Sequence, residues 1–315
     1  MRKLSEYVIE RFIDKTNKPT TFIKTKEELY NYMFKKYNLK RKHDFQEKAT
    51  CPKSIDLTEV SVPENFNAEE LFMWFAGEEI DISTWKITDI NKLMFYNAPN
   101  LKRIFIPNTV VNIQEQAFER CYDLTYVNIP NSIQTIKDNA FSDCRNLTLD
   151  IDTFPNSLTE IGQWTFHKCE KLQSKIVIPD SVTSIGNSAF ASCKSIEKVV
   201  ISNNMNKIAS DVFYGCSKLT DVVISDSITE IGVRAFSWTN VNNIIIPNNV
   251  EKIGINTFLG CENLESITIS DSVEIINNPI FDRCKKLKEI KTPKGNRDKL
   301  EKLLPEELHK YVKEV

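Results

Sequence analysis

The chain has 315 residues, 41% of them hydrophobic, which is enough apolar content for a buried core and excludes a disordered polymer. Its 41 Lys and Arg stand against 43 Asp and Glu, a net charge of −2 that gives no reason to expect nucleic acid as the main partner. No apolar run reaches the ~20 residues of a membrane span, and Glu10, Arg11 and Asp14 interrupt any secretory signal near Met1, so the expected location is cytoplasmic.

Residues 1–53 read as a basic helical leader, with 13 basic and 7 acidic side chains in residues 1–50. Leu4, Val8 and Phe12 recur at four-residue steps and predict a short amphipathic helix over 4–14, which Asn17-Lys18-Pro19 ends. Thr25-Lys26-Glu27-Glu28 then matches a capping box, in which the Thr oxygen and the Glu carboxylate satisfy the free amides of a second helix carrying Leu29, Met33 and Tyr37 on one face. The basic run Lys35-Lys36-Tyr37-Asn38-Leu39-Lys40-Arg41-Lys42, with His43, is the one stretch suited to an anionic surface, and it also reads as a solvated helix end complementing the helix dipole.

Residues 54–293 form a repeat array. Phe72, Phe95, Phe118, Phe141, Phe166, Phe190, Phe213, Phe236, Phe258 and Phe281 follow one another at gaps of 22 to 25 residues. The units are degenerate over 54–100 and regular over 101–293, where each reads Leu-x-x-Ile-x-Ile-Pro-Asn/Asp-Ser-Val-x-x-Ile-Gly-x-x-Ala-Phe-x-x-Cys. Ile-x-Ile predicts a short strand with alternate residues inward. Pro or Ser followed by Asn or Asp predicts a turn. Gly162, Gly186, Gly232 and Gly254 share a slot needing either positive φ or close packing, and Ala-Phe-x-x-Cys predicts a short helical turn. Such a unit cannot bury its apolar face alone, so successive units must stack. The predicted fold is an α/β repeat: a right-handed leucine-rich-repeat solenoid of about 23-residue coils with a parallel concave β-sheet and short helical convex segments. Residues 294–315 leave the repeat and read as a C-terminal helical cap, with Leu300, Leu303, Leu304, Leu308 and Val312 covering the last coil.

These motifs resemble the BspA-like leucine-rich repeats, over about 101–293, and the related stretch Asp81-Ile82-Ser83-Thr84-Trp85 with Met94-Phe95 extends the likeness back to about 55. The helical start is similar to segments that precede such repeats in some phage-encoded proteins. The resemblance implies a curved, non-enzymatic scaffold used in adhesion or protein contact.

The residues offer little chemistry. Seven of eight cysteines (Cys121, Cys144, Cys169, Cys193, Cys216, Cys261 and Cys284) lie three residues after a repeat Phe, in a slot that Ala98 and Thr239 also fill. A slot so permissive needs a small apolar group and not a sulfur ligand, so reduced core thiols are expected. His43, His167 and His309 are scattered, no phosphate-binding glycine motif occurs, and Asp180, Asp226 and Asp271 alternate with Asn108, Asn131, Asn156 and Asn248 as turn caps. No catalytic residue, cofactor, metal or small-molecule substrate is expected. The outward strand positions are Phe105, Asn128, Asp150, Val177, Val200, Val223, Ile245, Thr268 and Lys291. Val177, Val200, Val223 and Ile245, rimmed by Lys175, Lys198, Asp221 and Asn243, are the candidate protein-binding patch. β-Branched residues at those sites also suit a strand without any partner. The expected function is a protein-interaction or structural scaffold working through the concave sheet. An adhesin or phage virion component acting at a surface, and a basic leader contacting nucleic acid, are the alternatives.

Overall fold

The structure is a computed structural model describing residues 21–39, 44, 46–47, 51–73, 75–149 and 154–315. The expected helix over 4–14, His43 with the end of the basic run, and the irregular stretch 150–153 lie outside the described residues.

The repeat folds as stacked coils with two strand sites each. Ile104 belongs to a three-residue strand, Arg103–Phe105, and Ile113 to a two-residue strand, Asn112–Ile113. Each pairs in parallel with the same position one coil away. The long strands run Ser54–Asp56, Glu79–Asp81, Arg103–Phe105 and Tyr126–Val127, then Lys175–Val177, Lys198–Val200 and Asp221–Val223, and finally Asn243–Ile245, Ser266–Thr268 and Glu289–Thr292. The short strands form two further ladders, from Asp89–Ile90 to Ser184–Ile185 and from Lys207–Ile208 to Ile275–Ile276. Between the strands the Leu, Ile, Val and Phe repeat positions are buried in one continuous core.

The Ala-Phe-x-x-Cys segments are not helical. In every coil from Phe95 to Phe236 the residues two before and two after the Phe have positive φ, as Gln116 and Arg120 do around Phe118. A left-handed residue every fourth position stops a helix and makes consecutive tight turns. The turns free alternate amides for the neighbouring coil. Gln116, Phe118 and Arg120 donate to the carbonyls of Asp138, Ala140 and Ser142 at 3.0, 2.8 and 2.8 Å, while Ala117, Glu119 and Cys121 donate within their own coil to Gln114, Gln116 and Phe118 at 3.3, 3.2 and 3.1 Å. Hydrogen bonding from coil to coil holds this face near the strand spacing of ~4.8 Å, so the wide separation expected of convex helices is absent from it. The Phe rings accordingly stack as one column, with neighbouring centroids 4.9 to 5.9 Å apart and planes within 15°.

The repeat glycines are explained by approach and not by φ. A Cβ on Gly186 would lie 2.4 Å from the Gln163 nitrogen and 2.6 Å from the Gly162 carbonyl carbon.

Both ends of the stack are covered. Helix α1 (Lys26–Lys36) starts at the capping box read from the sequence, with the Glu28 N–H donating to Thr25 Oγ1 at 3.1 Å and Glu28 Oε2 accepting from the Thr25 N–H at 3.2 Å. It buries Leu29 and Met33. The Tyr37 hydroxyl accepts from the Asp56 N–H at 2.8 Å, and Lys36 Nζ donates to the Asp56 carbonyl at 2.8 Å, so side chains occupy the first strand's backbone groups and block edge pairing. At the other end helix α2 (Arg297–Leu303) buries Leu300, and a 3₁₀ segment spans Glu306–Tyr311. Val312 is not helical as expected. It enters a strand, Val312–Glu314, that extends the ladder with Val312 opposite Ile290, because an inward apolar residue at that register completes the core.

Candidate protein-interaction face

The long-strand ladder places the predicted patch as a physical row. Lys175, Lys198 and Asp221 are register partners, and so are Val177, Val200 and Val223. Exposure rises along the row: Val177 and Val200 are half-buried by lateral packing, Val223 is 45% exposed and Ile245 is 69% exposed. Isolated exposed aliphatics are ordinary, but Val177, Val200 and Val223 lie on hydrogen-bonded neighbouring rungs. Of the rim, Lys175, Asp221 and Asn243 are exposed, and Lys198 forms an ion pair with Asp221 across one rung. Both partners of that pair are well solvated, so it fixes side-chain direction more than it adds stability.

The row changes character at either end. Phe105, outward by register, is buried at 3% because Arg103 lies over its ring at 5.2 Å and Tyr126 packs against it at 5.7 Å. Beyond Ile245 come Thr268 and Lys291, partly buried, with Lys291 paired to Glu289 at 3.2 Å. The apolar part of the row is thus bounded.

Sequence reasoning missed a discontinuity inside this patch. Asn243–Ile245 belongs to a different sheet from Asp221–Val223, so the ladder stops between Val223 and Ile245. The cause is legible in hindsight. Phe236 and Phe258 are 22 residues apart, and where other units have Cys216-Ser217-Lys218-Leu219 this one has Thr239-Asn240-Val241, one residue fewer. The shortened turn redirects Asn240, whose N–H donates to the Leu219 carbonyl at 2.9 Å.

The cysteine slots prove to be hydrogen-bonded core positions. The thiols of Cys121, Cys144 and Cys193 donate to the Phe95, Phe118 and Phe166 carbonyls of the preceding coil, each at 3.0 Å. Burial pushes the Cys216 thiol up to about 12 and that of Cys261 to about 11, and it carries Cys144, Cys169 and Cys193 well above the ordinary value. Such thiols hold almost no thiolate at neutral pH and are poor nucleophiles. In the slot that Thr239 fills, its Oγ1 donates to the carbonyl of its own Phe236 at 2.8 Å. His167 does not meet a thiol. It packs edge-on against Trp164 at 4.7 Å, and burial together with the Lys168 charge lowers its pKa. Asp180 works in a turn, its Oδ1 accepting from the Asn203 N–H at 2.9 Å one coil on. Among the described residues no group of three or more His, Cys, Asp or Glu side chains converges as metal ligands would, and no helix is long and apolar enough to cross a membrane.

Comparison with known proteins points the same way as this geometry. The profile of the BspA type leucine rich repeat region matches in six copies, over residues 27–148, 148–261 and 229–303. A leucine-rich repeat protein from Bacteroides ovatus is similar at 28% identity with a TM-score of 0.54, covering 68% of this chain and 63% of that one. The chain therefore spans a little under two thirds of that relative's length. A leucine-rich repeat protein of T. pallidum matches at 24% identity and a TM-score of 0.44, covering 68% of this chain and 80% of that one. A leucine-rich cell surface protein from Faecalibacterium prausnitzii matches at 22% identity and a TM-score of 0.37, covering 80% and 90%. No curated protein matches the chain.

Proposed function

Because the chain belongs to the BspA-type leucine-rich repeat family, whose members are generally non-enzymatic scaffolds, we propose that it is a protein-interaction scaffold that holds a protein partner on its long-strand face. The observation that carries this is the pair of exposed aliphatics on the outward side of successive long strands, Val223 at 45% and Ile245 at 69%, with Val177 and Val200 in register behind Val223. Val177, Val200 and Val223 on paired strands, with Ile245 on the strand beyond the ladder's break, offer an apolar centre, and Lys175, Lys198, Asp221 and Asn243 supply the polar rim that such interfaces carry. The core residues serve stacking: the Phe rings from Phe72 to Phe281 form one column and the thiols of Cys121, Cys144 and Cys193 bond to the preceding coil, so the outward row is the part of the strand that stacking does not use.

The test pairs Val223→Glu and Ile245→Glu with Ile275→Glu, a residue 48% exposed on the short-strand ladder. The partner is captured from the native source by the immobilised chain and identified. Loss with the first two variants, retention with the third and unchanged circular dichroism in all three support the reading. Equal capture by all three contradicts it.

A further inference from the structure

We propose that the junction between the Asp221–Val223 strand and the Asn243–Ile245 strand is a hinge, at which the long-strand face opens while the opposite side of the coil stack acts as pivot. Across neighbouring junctions the long strands are stitched on both sides. The Thr220 and Asp221 amides donate to Glu197 O, those of Glu265 and Ser266 to Asn242 O, and the exits are closed by Ile201 N–H to Val223 O at 3.0 Å and Ile246 N–H to Thr268 O at 2.9 Å. The equivalent bonds, from Asn242 and Asn243 to Thr220 O and from Ile224 N–H to Ile245 O, are not formed, and the entry side keeps the Asn240 N–H to Leu219 O bond at 2.9 Å in their place. The inward residue is less covered on one side of the gap, while Ile244 on the other side is buried. Ile176, Val199 and Ile267 are completely buried at the inward position of their strands, whereas Val222 at the same position is half-buried.

The far side of the same junction is intact. Glu230–Ile231 pairs with Lys252–Ile253 in the short-strand ladder. On the turn face Phe236 donates to Thr257 O at 3.0 Å and Trp238 to Leu259 O at 2.8 Å, and the Phe236 and Phe258 rings stack at 5.8 Å. One face without ladder bonds, opposite two faces that keep theirs, is the arrangement of a hinge, in which a few terminal positions absorb the rotation. The one other interruption bounded by described residues on both sides, between Ser184–Ile185 and Lys207–Ile208 in the short-strand ladder, falls where the long ladder is continuous. Opening at Val223/Ile245 changes the width of the apolar row, and this motion is independent of whether a partner binds there.

Paired nitroxide labels on the full chain test this by double electron–electron resonance, with Cys51 and Cys284 replaced by Ser to leave only buried native thiols. One pair, V177C and T268C, spans four rungs of the long-strand face across the junction, about 19 Å at the usual strand spacing. The second, Q163C and I255C, spans four coils on the turn face across the same junction. A broad distribution with a tail to longer distance for the first pair, beside a narrow one for the second, is expected. Narrow distributions for both pairs overturn the hinge, and broad distributions for both overturn it too, because the whole coil would then be opening. Insertion of one residue after Thr239 is expected to narrow the first distribution to the width of the second.

Discussion

The Cys144 thiol donates to the main-chain carbonyl of Phe118, one coil earlier, at 3.0 Å. That carbonyl also accepts the Cys121 N–H of its own coil at 3.1 Å, so the Phe backbone is held from both sides while its ring stacks in the column. The repeat's two most regular residues therefore serve each other. Removing one Phe from the middle of the column should be costly. Phe190→Ala leaves a cavity between Phe166 and Phe213, whose centroids lie 5.3 and 5.8 Å from it, and a loss of about 3–5 kcal/mol in urea unfolding is expected. Phe281→Ala, at the partly open end of the column, should cost less.

Two glycine substitutions separate close approach from backbone conformation. Gly186→Ala drives a Cβ into the backbone of Gln163 and Gly162, and a destabilisation of about 1–3 kcal/mol is expected. Gly215 has φ +70 with its added Cβ 3.3 Å from Ser192 Oγ, and its counterparts Arg120, Lys168 and Ser192 adopt the same region with side chains. Gly215→Asn should accordingly stay within about 0.5 kcal/mol of the parent in the same unfolding measurement.

The thiols should be silent in the folded protein. Only the thiolate attacks a disulfide reagent, and burial raises Cys216 to about 12 and Cys51 and Cys261 to about 11. At pH 8 an aromatic disulfide reagent should react slowly with the half-buried Cys51 and Cys284 and spare the other six, while all eight react in denaturant. Rapid release of several thiols from the native chain would contradict this.

His167 gives a pH signature. Its folded pKa lies below the ordinary 6.5, through burial first and the Lys168 charge second, so the folded state binds fewer protons than the unfolded chain. The stability this contributes is present in full above the unfolded value and declines as pH falls from about 6.5 through the lower folded value. Imidazole proton shifts should report a midpoint below 6.5, and Trp164→Ala, which strips the ring packed against it, should raise that midpoint.

Fold and register were readable because Phe and Cys recur with a period that no other architecture explains, and because Ile-x-Ile alternates as a strand must. The turn face was not. Phe and Cys three apart fit a helical turn as well as a chain of tight turns, and the left-handed residues that decide between them are of mixed type: Gly215, Gly260 and Asn139 suit positive φ, whereas Gln116, Arg120 and Trp164 in the same slots carry no such mark. The Val177 to Ile245 row followed from alternation alone. Its interruption did not, because the 22-residue gap after Phe236 marks a shortened turn but not which ladder bonds that turn removes. Burial of Phe105 under Arg103 and Tyr126 escaped for the same reason.

The most direct test of the proposed face replaces Ile245 with a photo-reactive phenylalanine analogue in the native source and asks what it crosslinks on irradiation. The account predicts a discrete protein adduct at Ile245 and at Val223, and none at Ile275 on the short-strand ladder. No adduct at Ile245, or the same adduct from all three positions, would contradict it.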